Sequence, residues 1–181
     1  IQINKRENDF IFVGRNIKDK RLDLLIKFIK EISKLIINVK FILIINGPVN
    51  SETNEIKRLS IKILKNLDNN KVLHYLEKTN FYLHFSDREG MSMSTIEAIQ
   101  AGCVPVIRLS GELKNYLNNK SAFIINGESD SDIVEIATRI HNAYNDTKSL
   151  NMIRIINLEK IKNLNNYTQS FKKIILQELG L

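Results

Sequence analysis

The sequence is poor in several residue types that would point to particular protein classes. Its 181 residues include one cysteine, two prolines and no tryptophan. The single cysteine, Cys103, excludes a disulfide bond within the chain and agrees with a reducing compartment such as the cytoplasm. No apolar run approaches the roughly 20 residues that span a bilayer, and no signal-peptide pattern opens the chain. We therefore expect a soluble cytoplasmic protein.

Histidine is also scarce, and the net charge is one-sided. His74, His84 and His141 lie far apart in the sequence and form no metal-ligand spacing, so we expect no structural metal. The formal net charge of +7 would suit nucleic acid, an anionic membrane surface or a phosphorylated small molecule. The lysines, however, are scattered through predicted helices, and the sequence lacks the aromatic pattern of RNA-binding domains. The charge alone identifies no partner, and we do not expect nucleic acid.

Nothing in the sequence divides the chain into separate units. It has no internal repeat, no proline-rich linker and no low-complexity tail, and 43% of its residues are hydrophobic, which is enough for a core. One domain over residues 1–181 is the simplest expectation. Because the chain begins with Ile1 rather than methionine, we expect it to be a processed or excised part of a larger protein.

Apolar runs alternate with amphipathic segments along most of the chain. The predicted strands are Asp9–Val13, Lys40–Ile45, Phe81–Phe85, Val104–Ile107 and Ala122–Ile125. The predicted helices are Lys20–Ile37, Ser51–Leu67, Ser92–Ala101 and Asp130–Tyr144, with a short helix or turn over Gly111–Leu117. Such alternation is typical of a parallel sheet with helices on both faces. We therefore predict a Rossmann-like α/β fold, with ligands bound at the edge where the strands end.

Two segments are harder to interpret. Val72–Leu76 resembles a further strand, yet too few residues separate it from Phe81–Phe85 for a parallel crossover, which needs a dozen or more. Three explanations stay open: the two strands form a hairpin, the first is not a strand, or residues are missing between Leu76 and Phe81. Lys148–Leu179 is predicted as two helices, broken by the asparagines clustered in Asn163–Tyr167.

Cationic residues follow the first predicted strand. Gly14 permits a sharp turn and a close approach of a ligand to the backbone. Arg15 offers a planar fork for phosphate oxygens, and Lys20 offers a point charge. These residue types suit a pyrophosphate group. The alternative is that Arg15 and Lys20 are ordinary solvated loop residues.

Two glutamates flank the start of the helix predicted at Ser92–Ala101. The free N–H groups at that end form an anion site near Gly90. Glu89 and Glu97 could accept hydrogen bonds from sugar and ribose hydroxyls. Local alternatives exist, because Ser94-Thr95-Ile96-Glu97 has the form of a capping box and Glu89 could be a solvated loop acid. Neither alternative explains why a cationic loop and an acidic helix occur together.

The two motifs together carry a family resemblance. Phe12–Lys20 (FVGRNIKDK) resembles the VGR-x4-K segment of retaining GT-B glycosyltransferases, and Glu89–Ile107 (EGMSMSTIEAIQAGCVPVI) resembles their EG-x6-EA-x3-G-x-PVI block. The chain is similar to the C-terminal, donor-binding domain of glycosyltransferase family 4 over about Asp9–Tyr144. The resemblance implies one half of a GT-B fold. It also implies a hexosyltransferase-like enzyme that moves a sugar from a nucleotide diphosphate sugar with retention of configuration.

The resemblance assigns a role to each site residue. Arg15 and Lys20 would hold the donor diphosphate beside Gly14. Glu97 would bind the ribose hydroxyls, and Glu89 would contact the transferred sugar. Backbone atoms around four further residues would cradle sugar and phosphate: Gly90, Met91, Met93 and Ser94. Glu89, Arg15 and Lys20 are thus the candidate catalytic residues. No metal and no cofactor besides the donor is implied, because cations and a helix terminus stabilise the leaving diphosphate.

The sequence also departs from the family pattern. Arg21 stands where the family usually has glycine, and the segment between Leu76 and Phe81 lacks the usual crossover helix. Nothing resembles the N-terminal acceptor-binding domain, so we expect the chain to bind a donor but not to transfer sugar alone. The acceptor is unidentified, and contact of the full-length protein with the inner membrane face stays open. Two alternatives also stay open: a sugar-nucleotide epimerase of GT-B fold, and a non-catalytic domain that binds nucleic acid or anionic membrane.

Overall fold

The structure is a computed structural model that describes residues 6–47, 61–90 and 92–178, with side chains up to residue 162. In this part of the chain, six parallel strands form one sheet. The strands are β1 (Asn8–Arg15), β2 (Phe41–Asn46), β3 (Ile61–Lys65), β4 (Thr79–His84), β5 (Val104–Arg108) and β6 (Phe123–Ile125). The helices are α1 (Leu22–Leu35), α2 (Asn69–Glu77), α3 (Met93–Gln100), α4 (Leu113–Tyr116), α5 (Asp130–Tyr144) and α6 (Thr147–Glu178), and Lys18–Lys20 forms a 3-10 turn. The predicted Rossmann-like α/β fold is confirmed.

The strands are apolar along their length because both faces of the sheet are covered. Successive residues of β4 point to opposite sides, so Phe81 and Leu83 pack with α1 and α5, whereas Tyr82 packs with α2 and α3. The short helix α4 and the described part of α6 extend the second layer over β5 and β6. The core therefore consists of two apolar layers, one on each side of the sheet.

The segment between residues 61 and 77 differs from the prediction. Ile61–Lys65, assigned to the end of a helix, is strand β3, and the predicted strand Val72–Leu76 lies within helix α2. Asp68 caps α2 by accepting a hydrogen bond from the Lys71 N–H at 2.9 Å. Of the three explanations above, the second is therefore correct: this segment is not a strand. Helix α2 is the crossover helix that the prediction lacked, and it connects β3 to β4. The first part of the predicted helix, residues 51–60, lies outside the described residues.

The C-terminal helix also differs from the prediction. Thr147–Glu178 is one helix of 32 residues, without the predicted break near Asn163–Tyr167. The asparagines do not interrupt it, because asparagine costs a helix well under 1 kcal/mol per residue, whereas proline costs about 3, and this stretch contains neither proline nor glycine. Among the described residues, no helix combines the length and the apolar character needed to cross a membrane.

The order of the strands creates a crevice between β1 and β4. From β1 the chain runs outward through β2 to β3, and then returns to β4 on the other side of β1 before continuing to β5 and β6. Loops that leave β1 and β4 therefore diverge at this point, which in open α/β sheets is where ligands bind. Arg15 ends β1, and the loop that leads to Glu89 follows β4.

Candidate functional site

Lys20 and Glu89 form an ion pair across the crevice. The 3-10 turn after β1 carries Lys20, and its Nζ donates a hydrogen bond to Glu89 Oε1. The side chains are only 14% and 18% exposed, respectively. A backbone hydrogen bond of 2.9 Å from the Asp87 N–H to the Asp19 carbonyl holds the two loops together. The pair therefore has a fixed position between the ends of β1 and β4.

The pair keeps Glu89 ionised. Burial alone would raise the pKa of the Glu89 carboxyl, because it disfavours the charged form. The hydrogen bond and the charge of Lys20, followed by His84 and the hydroxyl of Ser86, act in the opposite direction and outweigh it, so the pKa of Glu89 lies below its ordinary value. At neutral pH the site thus presents an ammonium and a carboxylate side by side.

Arg15 and Gly14 lie at the end of β1, where the prediction placed them. Arg15 is exposed and lies opposite Asn46, the last residue of the neighbouring strand β2. Among the described residues no partner is found for the Arg15 guanidinium. A Cβ atom at Gly14 would lie 2.8 Å from the Phe12 ring, so this position needs a glycine or a shift of the ring.

Helix α3 begins at Met93, with Ser92 as its N-cap. Ser94 lies inside the first turn and accepts a hydrogen bond of 2.8 Å from the Tyr82 hydroxyl. The capping box considered for Ser94-Thr95-Ile96-Glu97 is therefore not formed. Met93 is exposed, and Gly90 has open space where a side chain would project. Met91 lies outside the described residues.

Glu97 lies on α3 beside helix α2. Its side chain is exposed and lines a cavity of about 190 Å³ together with residues of α2, including Asn69 and Leu73. We find no ion pair or hydrogen bond of the Glu97 carboxylate with the rest of the described chain. The structure thus brings Lys20 and Glu89 into contact, and it places Glu97 against α2.

A network of charges that sequence reasoning missed surrounds a larger cavity of about 700 Å³. The cavity is lined by Asn16, Ile17, Lys18, Arg21, Leu22, Asp23, Asp87 and Glu128. Arg21 binds Glu128 at 2.8 Å, Asp23 at 2.9 Å and Asp87 at 3.1 Å. Arg108, at the end of β5, also binds Asp87 and Glu128. Apart from Asp23, which is two residues from Arg21, these residues come from chain segments that are distant in sequence, so no local pattern could have grouped them.

Arg21 combines three carboxylate partners with an unusual backbone conformation. Hydrogen bonds from its side chain, the one to Glu128 first, raise the pKa of the guanidinium above its already high value. Arg21 has φ +49° and ψ 53°, the left-handed region in which glycine is favoured. This conformation gives a physical reason for glycine at this position in the family pattern.

We expect the variant Arg21→Gly to be more stable than Arg21→Ala by about 1 kcal/mol. Both variants lose the ion pairs with Glu128, Asp23 and Asp87, but only alanine keeps a Cβ in the left-handed region. Urea unfolding of the two variants measures the difference in free energy. Equal stability, or a more stable alanine variant, would contradict the left-handed conformation at residue 21.

The candidate site contains no obvious metal centre. In the described ranges, no three histidine, cysteine, aspartate or glutamate side chains are grouped in a way that could hold a metal ion. The charged candidates are instead Lys20 and Glu89 in the crevice, Arg15 at the end of β1, and Glu97 on α3 beside α2. This set offers cations for an anionic group and carboxylates for hydroxyl groups.

Comparison with known proteins identifies the family. A sequence model of the glycosyl transferases group 1 family matches residues 1–157. The chain belongs to this family. The resemblance that the two sequence motifs carry is thereby confirmed, whereas curated protein sequences show no significant match.

Solved structures share the fold of this group 1 domain. The C-terminal domain of the glycosyl transferase group 1 family protein LpcC from Francisella tularensis has 14% identity and a TM-score of 0.74, over 87% of this chain and 86% of that chain. The catalytic domain of starch synthase IV from Arabidopsis thaliana, bound to ADP and acarbose, has 16% identity and a TM-score of 0.68, over 94% of this chain and 40% of that one. The pneumococcal O-GlcNAc transferase GtfA, in complex with UDP and GlcNAc, has 17% identity and a TM-score of 0.74, over 94% of this chain and 36% of that one. At these identities the likeness establishes the fold alone, and this chain spans well under half of the two longer proteins.

Proposed function

We propose that this group 1 glycosyltransferase domain binds a nucleotide diphosphate sugar at the carboxyl ends of β1 and β4. The observation that carries the proposal is the Lys20–Glu89 pair in the crevice, since it sets a cation for phosphate beside a carboxylate for hydroxyls. Two proteins of the same fold, starch synthase IV and GtfA, were solved with the nucleoside diphosphates ADP and UDP. The chain is thus the donor half of a sugar-transferring enzyme.

Each charged residue has a distinct part in binding the donor. Lys20 and Arg15 bind the diphosphate, Lys20 from the turn after β1 and Arg15 from the end of that strand. The N-terminus of α3, with the backbone near Gly90, Met93 and Ser94, completes the phosphate site. Glu97 accepts hydrogen bonds from the ribose hydroxyls in the cavity beside α2.

The same residues supply the stabilisation that the reaction needs. As the bond from the sugar to the diphosphate breaks, negative charge builds on the leaving phosphate oxygen. Lys20 and Arg15 stabilise this charge without a metal ion. Glu89 binds hydroxyls of the transferred sugar and holds its reacting carbon in place, and the sugar keeps its anomeric configuration. The acceptor is bound by a second domain, so this domain alone binds the donor without transferring sugar.

Calorimetry with UDP, GDP and ADP tests the proposal. We expect the 181-residue chain to bind one or more of these nucleotides, and the variants Arg15→Ala and Glu97→Ala to weaken binding about 10-fold to 100-fold. Hydrogen bonds that involve a charged group contribute about 1.5–3 kcal/mol, and every 1.4 kcal/mol changes affinity tenfold. Arg139→Ala and Glu135→Ala are matched controls, because these two residues pair with each other on α5.

Two outcomes would overturn the proposal. One is that the unchanged chain binds none of the three nucleotides. The other is that a single-stranded oligonucleotide binds more tightly than they do, with an affinity that falls steeply with salt and survives the loss of Glu97. This second result would assign the chain to polyanion binding through its net charge of +7.

A further inference from the structure

His84 is a buried residue at the crevice that the proposed function does not use. It is the last residue of β4 and is 1% exposed. Its ring is stacked on that of Tyr82, two residues earlier on the same side of the strand, with ring centres 6.3 Å apart and planes 18° apart. Its buried Nε2 atom has no hydrogen-bond partner among the described residues. A buried polar atom without a partner costs about 1–3 kcal/mol, so such atoms call for an explanation.

The unpartnered nitrogen lies beside Glu89. His84 Nε2 is 4.0 Å from Glu89 Oε1, the same oxygen that accepts the hydrogen bond from Lys20. This distance is about 1 Å longer than a hydrogen bond. A small rotation of the Glu89 side chain can close this gap. Burial lowers the pKa of His84 to about 4, with the charge of Glu89 opposing this shift and that of Lys20 adding to it. The imidazole is therefore neutral at pH 7 and has a single N–H to donate.

Donor binding changes what Lys20 offers to Glu89. This step rests on the proposed function, in which the ammonium of Lys20 binds the diphosphate. An ammonium shared with two phosphate groups stabilises the half-buried carboxylate less than one that pairs with it alone. Glu89 then needs another donor if its carboxylate is to stay in place for the sugar hydroxyls. Two candidates on the described chain are the Nε2 of His84 and the hydroxyl of Ser86, both buried and without a hydrogen-bond partner.

We infer that His84 is a positioning residue, which donates its Nε2 hydrogen to Glu89 when a bound diphosphate engages Lys20. His84 thereby holds the carboxylate in the orientation that binds the transferred sugar. Its effect falls on the sugar part of the donor, because it touches Glu89 and not the diphosphate.

Nitrogen NMR of the imidazole tests the hydrogen bond itself. The 181-residue chain, labelled with ¹⁵N-histidine, is saturated with whichever of UDP, GDP and ADP binds it. We expect the His84 signals to show the tautomer protonated at Nε2 in the bound state, with slowed exchange of that proton. A bound state that carries the proton on Nδ1 instead would overturn the inference and leave the proposed function standing. Failure of all three nucleotides to bind would overturn the proposed function, and the inference with it.

Two substitutions separate positioning from packing. His84→Leu fills the same buried space without a donor, whereas His84→Gln places an amide N–H close to the position of Nε2. Calorimetry is run with UDP, GDP and ADP, and with UDP-glucose, GDP-glucose and ADP-glucose, in which glucose is esterified to the diphosphate. We expect nucleoside diphosphate affinities to stay within about twofold of the unchanged chain in both variants. The ratio of the affinity for the sugar ester to the affinity for the nucleoside diphosphate should fall about 10-fold in His84→Leu. In His84→Gln this ratio should lie within about threefold of its value in the unchanged chain.

The same measurements can contradict the inference directly. Equal losses in the leucine and glutamine variants would mean that His84 acts only through packing. A leucine variant that binds sugar esters as tightly as the unchanged chain would show that Glu89 needs no support from His84. If the unchanged chain binds the sugar esters no more tightly than the nucleoside diphosphates, the role of Glu89 and His84 in sugar binding is likewise contradicted. Urea unfolding of each variant confirms that the protein is folded at the temperature used.

Discussion

Lys20→Met is expected to weaken binding of nucleoside diphosphates about 10-fold to 100-fold. The variant removes the ammonium that lies between the ends of β1 and β4, and charged hydrogen bonds of this kind contribute about 1.5–3 kcal/mol. It also leaves Glu89 without the partner that keeps its pKa low. A carboxylate with no neutralising cation repels the diphosphate, so the loss should exceed that of Arg15→Ala.

The matched control for this prediction is Lys34→Met. Lys34 is an exposed residue near the end of α1 and pairs with Glu31 on the same helix, so the substitution changes the net charge equally without touching the crevice. Calorimetry of the unchanged chain, Lys20→Met and Lys34→Met at one salt concentration compares their affinities for the nucleoside diphosphates. If both methionine variants lose affinity to the same extent, net charge determines binding, and Lys20 has no special position.

Stability of the protein is expected to fall as the pH is lowered from about 6.5 to about 4, and His84→Gln should remove the part of this fall that lies above pH 4.5. Burial lowers the pKa of folded His84 from 6.5 to about 4. Between these values the unfolded chain binds a proton at His84 and the folded chain does not, so protonation favours unfolding. The loss amounts to at most about 3 kcal/mol, since each pKa unit corresponds to 1.36 kcal/mol.

Urea unfolding at a series of pH values measures this effect. Glu89 also has a lowered pKa, so the stability that it contributes is present above its ordinary pKa of about 4.5 and is lost as the pH falls further. The His84→Gln profile should therefore be flatter above pH 4.5 and still descend below it. His74→Gln, which replaces an exposed histidine of α2, should keep the slope of the unchanged chain. If His84→Gln and the unchanged chain have parallel profiles, His84 is not buried in its neutral form.

Short apolar runs limited how much of the fold could be predicted. Val72 and Leu76 are one helical turn apart and both buried, whereas Leu73 between them is 42% exposed. Five residues with this composition fit either a strand or a helix, and local sequence contains no further information to choose. The choice depends on packing, because α2 has to cover one face of the sheet between β3 and β4.

The site shows the same division between local pattern and packing. Arg15, Lys20 and Glu89 could be named from their residue types and from the strands that they follow. The capping-box alternative for Glu97 could only be decided by the true start of α3, which lies at Met93, one residue before Ser94. The position of His84 beside Glu89 was missed, because a lone histidine in an apolar strand shows no sign of the carboxylate next to it.

The sequence by itself determined the alternation of strands and helices, the parallel α/β class and the residue types at the strand ends. Periodicity and turn residues act within a few positions, so they can be read along the chain. Only the tertiary structure decided that Lys20 lies against Glu89, that Arg21 meets Asp87 and Glu128, and that His84 is buried next to the pair. These contacts arise because β4 returns to the side of β1, a pairing between segments about 70 residues apart that no local pattern specifies.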